Sequence, residues 1–315
     1  MKKAILSCSF YTASLCIALL SFGQATAAEN GWIRGSCESG SGLYRWTDGD
    51  SYEGQCVNNS FQGTGTLTLK NGDRYVGQFA ADQKNGRGTY YFSNGDRFEG
   101  QFRSGQRNGR GTLYRANGER YEGNYQSDRK SGRGTFYFLS GDRYEGNWQQ
   151  DQFEGQGNYY FDNGDRYEGQ WRAGERTRGN FHWADGNRYE GQFQNNQRTG
   201  QGTLYWTNNN RYEGQWRDGK QHGRGTKQWA NGDKYVGQWQ NDKMDGRGEF
   251  TFVNGNRFDG GFQNDQIHGQ GTYYFANGDR YVGPWMRGQR EGPGRYTNAA
   301  GQTEEMEFRS GRRAN

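Results

Sequence analysis

The chain has 315 residues, of which only 30% are hydrophobic, while 16% are aromatic and 54 are glycine. So few aliphatic residues argue against a large conventional core, and the many aromatic residues argue against an intrinsically disordered chain. The formal net charge of +5 is too small to indicate a nucleic-acid partner, and none is expected.

The N-terminus has the three-part pattern of a secretory signal peptide. Lys2 and Lys3 precede a mostly apolar run that ends at Phe22, and small residues follow up to Ala27. This pattern predicts a signal peptide over residues 1–27, and the alternative is a retained membrane anchor. Removal of residues 1–27 leaves a net charge of about +3. The mature protein is then expected to be periplasmic or extracellular, or peripheral to the membrane.

Two cysteines remain after export. Cys37 lies in an N-terminal lead-in over residues 28–42, and Cys56 lies in the first repeat described below. The lead-in enters at the end of the predicted sheet where the strand of Cys56 leaves. In an oxidising compartment we expect these two cysteines to form a disulfide that acts as an N-terminal cap, and two unrelated thiols are the alternative.

A nine-residue phrase recurs from the first repeat onward. It reads NGDRYEGQW from Asn163 to Trp171, and its aromatic residue returns every 23 residues, with one step of 22. This period predicts a repeat array over residues 43–308, followed by a C-terminal tail over 309–315. The recurring aromatic residues are Tyr52, Tyr75, Phe98, Tyr121, Tyr144, Tyr167, Tyr189, Tyr212, Tyr235, Phe258 and Tyr281.

Each repeat has the pattern of a β-hairpin. In FYFLSGDRYEGNW, which begins at Phe136, alternating aromatic residues lie on both sides of Ser140 and Gly141. A two-residue turn would need positive φ at both positions, whereas a three-residue turn with a glycine bulge needs it at the glycine alone. Since serine is poor at positive φ, we expect the three-residue form. That register places Phe136 opposite Tyr144 on an aromatic face and leaves Arg143 on a charged face.

Glycine-rich segments of the form xxGxxxGxG separate the hairpins, as from Arg103 to Gly111. We expect these segments to be loops whose glycines allow a tight return and leave room beside large rings. The predicted fold is therefore all-β: an elongated, single-layer, twisted antiparallel sheet of about twelve tandem 23-residue hairpins. At a strand spacing of about 4.8 Å, twelve hairpins make a ribbon on the order of 110 Å long.

The phrase and the glycine segment that follows it, as in GKQHGRG from Gly219 to Gly225, resemble the MORN repeat (membrane occupation and recognition nexus). The resemblance covers nearly the whole mature chain. It implies an elongated all-β array that serves as an interaction module or spacer. The exported, bacterial-type setting is an expectation from the signal pattern alone.

The sequence predicts no cofactor, no metal site and no enzymatic activity. His222 and His268 share a register but lie two repeats apart, roughly 20 Å, which is too far to share a zinc ion. No nucleophile has a nearby base, and the glycine-rich segments lack the context of a phosphate-binding loop.

Two surfaces are candidates for binding. Arginines that line up on the charged face could contact an anionic ligand, although glutamates interleave with them. These candidate arginines are Arg97, Arg120, Arg143, Arg166 and Arg188. The aromatic face is the candidate surface for a protein, a second copy or a glycan. Its candidate residues are Phe102, Tyr121, Phe136, Phe138, Tyr144, Trp148, Tyr167, Trp171, Tyr189, Tyr212, Trp216 and Trp239.

The functional expectation is a non-enzymatic, exported repeat scaffold that binds another protein or itself through the aromatic face. The alternative is a cell-envelope binding module for lipid headgroups or glycans.

Overall fold

The structure is a computed structural model that describes residues 30–314. The predicted signal peptide lies outside the described residues. The described chain forms 27 strands. Their bounds are β1 Gly31–Arg34, β2 Ser39–Arg45, β3 Ser51–Val57, β4 Ser60–Thr68, β5 Arg74–Ala80, β6 Gln83–Tyr91, β7 Arg97–Arg103, β8 Gln106–Tyr114, β9 Arg120–Gln126, β10 Arg129–Tyr137, β11 Arg143–Gln149, β12 Gln152–Tyr160, β13 Arg166–Arg172, β14 Glu175–His182, β15 Arg188–Gln194, β16 Gln197–Tyr205, β17 Arg211–Arg217, β18 Lys220–Gln228, β19 Lys234–Gln240, β20 Lys243–Thr251, β21 Arg257–Gln263, β22 Gln266–Tyr274, β23 Arg280–Met286, β24 Gln289–Arg290, β25 Gly292–Thr297, β26 Thr303–Arg309 and β27 Arg312–Arg313.

All of these strands belong to one open antiparallel sheet. Each strand pairs with its neighbours in chain order. Strands β24 and β25 follow one another along the same edge of β23, and both pair with it. The predicted single-layer hairpin array is therefore confirmed. The lead-in contributes β1, and β27 in the C-terminal tail pairs with β26, so strand pairing extends beyond the predicted repeat boundaries at both ends.

The turn inside each hairpin has the predicted three-residue form. In the hairpin of β10 and β11, the Phe138 amide donates to the Asp142 carbonyl at 3.0 Å and the Gly141 amide donates to the Phe138 carbonyl at 3.1 Å. Gly141 has a φ of 95°. The register follows from this turn, since Phe136 lies opposite Tyr144 and Tyr137 lies opposite Arg143. The predicted pairing and the two distinct faces are thus confirmed.

The segments between hairpins differ from the prediction. The residues from Arg103 to Gly111 are not a loop, because β8 begins at Gln106, directly after a two-residue turn at Ser104 and Gly105. Both turn residues have positive φ, 49° and 83°, as a type I′ turn requires. The first position of these turns varies and includes serine, alanine, glutamine and arginine, but the second position is always asparagine, aspartate or glycine, which is a usable sequence signal.

The long strand after each of these turns contains a bulge. Gly100 pairs with Gly111 and Phe102 pairs with Arg107, so the long strand has two extra residues between these pairs. Gly109 adopts a φ of 101° there. The bulge leaves a backbone amide without a strand partner, and Gln101 accepts a hydrogen bond from it through Oε1. Equivalent glutamines do the same in other repeats, namely Gln55, Gln78, Gln192, Gln215 and Gln238.

The repeat of 22 residues is one residue shorter than the others, and the missing residue is one of the bulge. Strand β14 has eight residues where the other long hairpin strands have nine. Gln170 pairs with Arg178 and Trp171 pairs with Arg176, which leaves one extra residue instead of two. Pairing continues unbroken on either side, so the deletion does not interrupt the sheet.

Aspartates connect neighbouring repeats at both edges of the sheet. On the three-residue-turn edge, Asp142 Oδ1 accepts a hydrogen bond from the Asp162 amide at 2.8 Å. On the two-residue-turn edge, Asp151 Oδ1 accepts one from the Lys130 amide at 2.9 Å. Each turn is therefore tied to the repeat beside it, which satisfies backbone amides that strand pairing leaves over.

The core of the ribbon consists of the recurring aromatic residues lying on paired glycines. Tyr144 is 0% exposed, and its hydroxyl donates to the Asn147 carbonyl at 2.9 Å. A Cβ at Gly146 or Gly157 would lie 2.4 or 2.3 Å from the Tyr144 hydroxyl oxygen. These two glycines pair across β11 and β12, and together they make the flat surface that the ring covers.

The rings pack edge-to-face along the whole array. Tyr144 contacts Trp148 of its own repeat at 5.3 Å between ring centroids, and it contacts Trp171 of the next repeat at 5.4 Å, with the planes nearly perpendicular. Such pairs are a preferred arrangement of aromatic rings. Each repeat is thereby joined to the next, and a single layer buries its own aromatic side chains.

Adding a methyl group beneath one of these rings should destabilise the sheet. We expect Gly157→Ala to lower the free energy of unfolding by ~1–3 kcal/mol, because the Tyr144 ring would have to leave its position. Gly31→Ala is the matched control, since a Cβ there meets nothing within 4 Å. Urea unfolding followed by circular dichroism measures both, and equal midpoints for the two variants would contradict this account of the core.

The buried tyrosines should also make the fold sensitive to alkali. Burial raises the pKa of Tyr75 to about 12 from an ordinary value of 10.0. A raised tyrosine pKa means that the stabilisation is complete below pH 10 and is lost as the pH rises above it. We expect the urea midpoint to fall between pH 9 and pH 11, and to fall less in Tyr75→Phe, since Phe98 and Phe258 occupy the same position. Identical pH dependence of the two proteins would contradict this explanation.

Candidate functional site

The structure places most of the predicted interaction residues in the core. Eleven of the twelve are at most 6% exposed, and Phe138 alone remains partly exposed. The physical reason is that the rings lie along the sheet instead of standing up from it. Most of the predicted residues therefore cannot contact a partner. The accessible aromatic side chains are those that lie beside them.

A row of partly exposed rings lies beside the buried ones, each three residues before the turn glycine. We call this row the rim stripe, and it packs against the core on one side. Sequence reasoning named only one of its members, although the fixed distance to the turn glycine was a usable signal. The rim stripe comprises Trp46, Phe92, Phe138, Phe161, Trp183, Trp206, Trp229, Phe252 and Phe275, and Asn209 takes the place of the turn glycine after Trp206.

The second residue of each long hairpin strand covers the buried ring of its repeat. Phe153 stacks on Tyr144 with 3.8 Å between centroids. Lys130 takes the same place one repeat earlier, with Nζ 5.4 Å from the centroid of the Tyr121 ring. We call this the lid position, and its occupants are Phe61, Lys84, Arg107, Lys130, Phe153, Arg176, Arg198, Gln221, Met244, Ile267 and Arg290.

Basic side chains on this face are enclosed by rings. Lys130 Nζ also lies 4.8 Å from the Phe136 centroid and 4.9 Å from the Trp148 centroid. Lys227, which is not at a lid position, lies between 5.1 and 5.8 Å from three indoles. Such distances allow cation–π attraction. Burial lowers the pKa of Lys84, Lys130 and Lys227.

Among the described residues, these lysines form no direct ion pair, whereas some of the arginines beside them do. Arg107 has a carboxylate in reach, with Nε 3.1 Å from Asp128 Oδ1. Within residues 30–314, no carboxylate oxygen lies within 4.0 Å of the ammonium of Lys84, Lys130 or Lys227. The aromatic face therefore contains partly buried ammonium groups that form no direct ion pair in the described part of the chain. Carboxylates at the edges of the sheet, such as Asp128, Asp151 and Asp265, attract them from farther away.

The candidate arginines of the charged face form ion pairs with glutamates of the same face. Arg120 Nε lies 2.9 Å from Glu122 Oε1, and its guanidinium lies 4.2 Å from the centroid of the Tyr137 ring on the paired strand. The Nε–H does not point at the carboxylate oxygen, so this contact is an ion pair and not a hydrogen bond. The other four candidate arginines have equivalent partners, in Glu99, Glu145, Glu168 and Glu190. Binding of an anionic ligand by these arginines stays a prediction, and the ion pairs weaken the charge available for it.

The histidines are dispersed. His182 replaces the tyrosine that stacks on the phrase arginine in other repeats, and it lies opposite Arg166. Burial and the nearby Arg166 lower the pKa of His182. Across residues 30–314, no group of three or more His, Cys, Asp or Glu side chains could hold a metal ion. The same residues include no helix that is both long enough and apolar enough to cross a membrane.

The N-terminal cap contains a disulfide. Cys37 is bonded to Cys56 with their Cα atoms 5.1 Å apart, and both side chains are at most 1% exposed. Cys56 occupies the register position that Phe79 takes in the next repeat. The Asn59 amide donates to the Cys37 carbonyl at 2.8 Å, which holds the lead-in against the first two-residue turn.

The geometry described so far defines a class of protein: an open, single-layer β-hairpin repeat array whose core is a line of aromatic rings on paired glycines. The sequence profile of the MORN repeat matches twelve consecutive segments over residues 38–303. The chain belongs to the MORN repeat family. No curated protein matches it.

Several solved structures show a distant likeness. The TCP domain of SAS-4 from Drosophila melanogaster, in complex with a proline-rich motif of Ana2, is 12% identical, with 57% of this chain and 99% of that chain covered and a TM-score of 0.33. A mutant of the TCP10 domain of Danio rerio CPAP is 9% identical, with 84% and 99% covered and a TM-score of 0.20. Virginiamycin B lyase from Staphylococcus aureus is 10% identical, with 89% of both chains covered and a TM-score of 0.13. TM-scores this low support no inference about function.

Opening the disulfide should destabilise the N-terminal cap. The two cysteines are 19 residues apart in sequence, and closing a loop of that length contributes about 3 kcal/mol. We expect the mature chain to have no thiol that reacts with a chromogenic disulfide reagent in denaturant. Replacement of both cysteines by serine should make the N-terminal repeats accessible to protease while the C-terminal repeats stay protected. Two reactive thiols, or unchanged proteolysis, would contradict this expectation.

Proposed function

We propose that this chain is a non-enzymatic, exported scaffold that binds another protein, or a second copy of itself, along the rim stripe. The observation that carries the proposal is that nine aromatic rings repeat at one register position and remain partly exposed. Among the described residues, no second layer covers them. Continuous rows of accessible rings are uncommon on monomer surfaces and are enriched where proteins associate.

Export and the absence of catalysis are supported by separate observations. The pattern over residues 1–27 supports a secretory route, and a disulfide fits an oxidising compartment. Polar side chains recur identically from repeat to repeat instead of forming one distinctive cluster. This arrangement suits a spacer or an interaction module better than an active site.

A second candidate function is glycan binding in the cell envelope. Trp183, Trp206 and Trp229 occupy the rim stripe in three consecutive repeats, and all three indoles are partly exposed. Repeats advance by about 10 Å, which is two strand spacings. Indoles spaced in this way could stack on alternate sugar rings of an extended chain. Lipid headgroups are less favoured, because the five candidate arginines of the charged face are ion-paired.

The proposal predicts that partner capture depends on the rim stripe. A photo-crosslinking residue replaces Leu139 or Val253, which are 69% and 67% exposed beside the stripe. We expect replacement of both Trp183 and Trp206 by alanine to reduce crosslinked product at least about fivefold, since exposed aromatic anchors dominate interfaces. Replacement of Tyr160 and Tyr205 on the charged face is the matched control.

Mass determination over a concentration series distinguishes the two kinds of partner. A mass that doubles with concentration in the unmodified chain, and stays single in the rim variant, identifies a second copy. Equal capture by the rim variant and the charged-face variant would contradict binding along the rim stripe. Circular dichroism of each variant confirms that the sheet is retained.

A further inference from the structure

We propose that the partner of the aromatic face is an acidic protein segment whose carboxylates dock on the ring-enclosed lysines. This inference rests on the proposed function and names the chemistry of the partner. It starts from three lysine ammonium groups on that face that aromatic rings enclose and that form no direct ion pair with any described residue.

Between Tyr52 and Asn298, the charged side chains that the strands themselves place on the aromatic side are basic, and the carboxylates of this face lie in the turns at its edges, as Asp73 and Asp142 do. Two of the basic side chains have a carboxylate from the chain itself, because Arg107 pairs with Asp128 and Arg115 pairs with Glu119. The others have no such partner among the described residues. They are Lys84, Lys130, Arg176, Arg198, Lys227 and Arg290.

Across residues 30–314, the three lysines form no ion pair within 4.0 Å, and each ammonium keeps an open side toward solvent. The rings around Lys84 lie 4.5 to 5.8 Å from its Nζ and occupy the sheet side of the ammonium. The side chain stays partly exposed, so the other side remains open. A carboxylate that approaches from solvent meets a charge that has already lost part of its hydration, and attraction is stronger in that environment than between fully hydrated ions.

The spacing of the basic residues favours a protein segment. Lid positions in successive repeats are about 10 Å apart, which equals three residues of an extended chain or about seven residues of a helix. Lys84 and Lys130 are two repeats apart and so cannot converge on one phosphate group. A segment with single acidic residues at such intervals, and apolar residues between them, would contact both the lysines and the rim stripe.

The apolar part of the segment has its own contact surface. Three consecutive lid positions, Gln221, Met244 and Ile267, are neutral or apolar, and Phe252 and Phe275 of the rim stripe lie in the same part of the array. A segment whose acidic residues lie over repeats near Lys84 and Lys130 would therefore have an apolar continuation. Because the acidic part and the apolar part of the segment contact different repeats, the segment can bind in one direction only.

The test uses fluorescence anisotropy with the full mature chain and labelled synthetic peptides. The probes are peptides with glutamate at every third or every seventh position and leucine and serine between, together with matched peptides that have glutamine instead. We expect at least one glutamate peptide to bind about tenfold or more tightly than its glutamine match, and the difference to shrink with added salt.

Replacement of Lys84, Lys130 and Lys227 by methionine removes the charges without emptying their sites, since methionine is an unbranched apolar side chain that fills irregular gaps and already occupies the lid position at Met244. This variant should lose about tenfold in affinity for the glutamate peptide and none for the glutamine peptide. The matched control replaces Arg97, Arg120 and Arg143 on the charged face by methionine and should bind the glutamate peptide as well as the unmodified chain does.

Three results would overturn the inference: equal affinity for glutamate and glutamine peptides, no effect of the lysine replacements, or an equal loss in the arginine control. Binding to phosphatidylserine vesicles that is abolished by the lysine replacements, with no binding of either glutamate peptide, would assign the lysines to a membrane surface instead and also overturn it. Rim-dependent crosslinking at Leu139 without any binding of glutamate peptides would leave the proposed function standing and reject only the acidic chemistry.

Discussion

The structure depends on one close approach: an aromatic ring lying flat on two glycines that pair across neighbouring strands. Tyr144 fits there because Gly146 and Gly157 have no side chains. This contact lets one layer of sheet bury a large ring without a second layer above it, although only 30% of the residues are hydrophobic. It also explains why tyrosine suits the position, since its hydroxyl reaches a carbonyl beyond the glycines. The ring, the glycine spacing and the edge-to-face contacts with the next repeat all follow from the same geometry.

The sequence predicted those features that a single residue type decides. The turn glycine set the turn length, and the turn length set which side chains lie opposite each other, as for Phe136 and Tyr144. The two-residue turns were not predicted, because residues such as Ser104 and Ala81 are unusual at positive φ and the glycines that follow suggested a loop, although asparagine, aspartate or glycine always occupies the second turn position. Nor did the sequence predict the burial of residues such as Trp171, because that depends on how rings from two repeats meet. The role of the bulge glutamine was not predicted either, because its partner is a backbone amide nine residues away in the sequence.

The two faces of the sheet differ in how much the residue types vary from repeat to repeat. On the charged face, Arg120 is placed between Glu122 and the ring of Tyr137, and equivalent arginines repeat this arrangement with little variation. The lid position on the aromatic face instead accepts phenylalanine, lysine, arginine, glutamine, methionine and isoleucine. A ring surface below attracts cations and apolar groups alike. Differences along the array are therefore concentrated at the lid position, and that is where one part of the ribbon can come to differ from another.

Strand pairing in strict chain order also determines how the ribbon would respond to mechanical load. Every repeat contacts only the repeats before and after it, and the first and last strands lie at opposite ends of the sheet. A pull on the two ends therefore acts across the strands and would peel hairpins away singly, with each step opposed by few hydrogen bonds at a time. The terminal cap at Cys37 and Cys56 blocks peeling from one end. Extension would begin at the other end, where β27 consists of two residues, and the molecule would lengthen in steps of one hairpin.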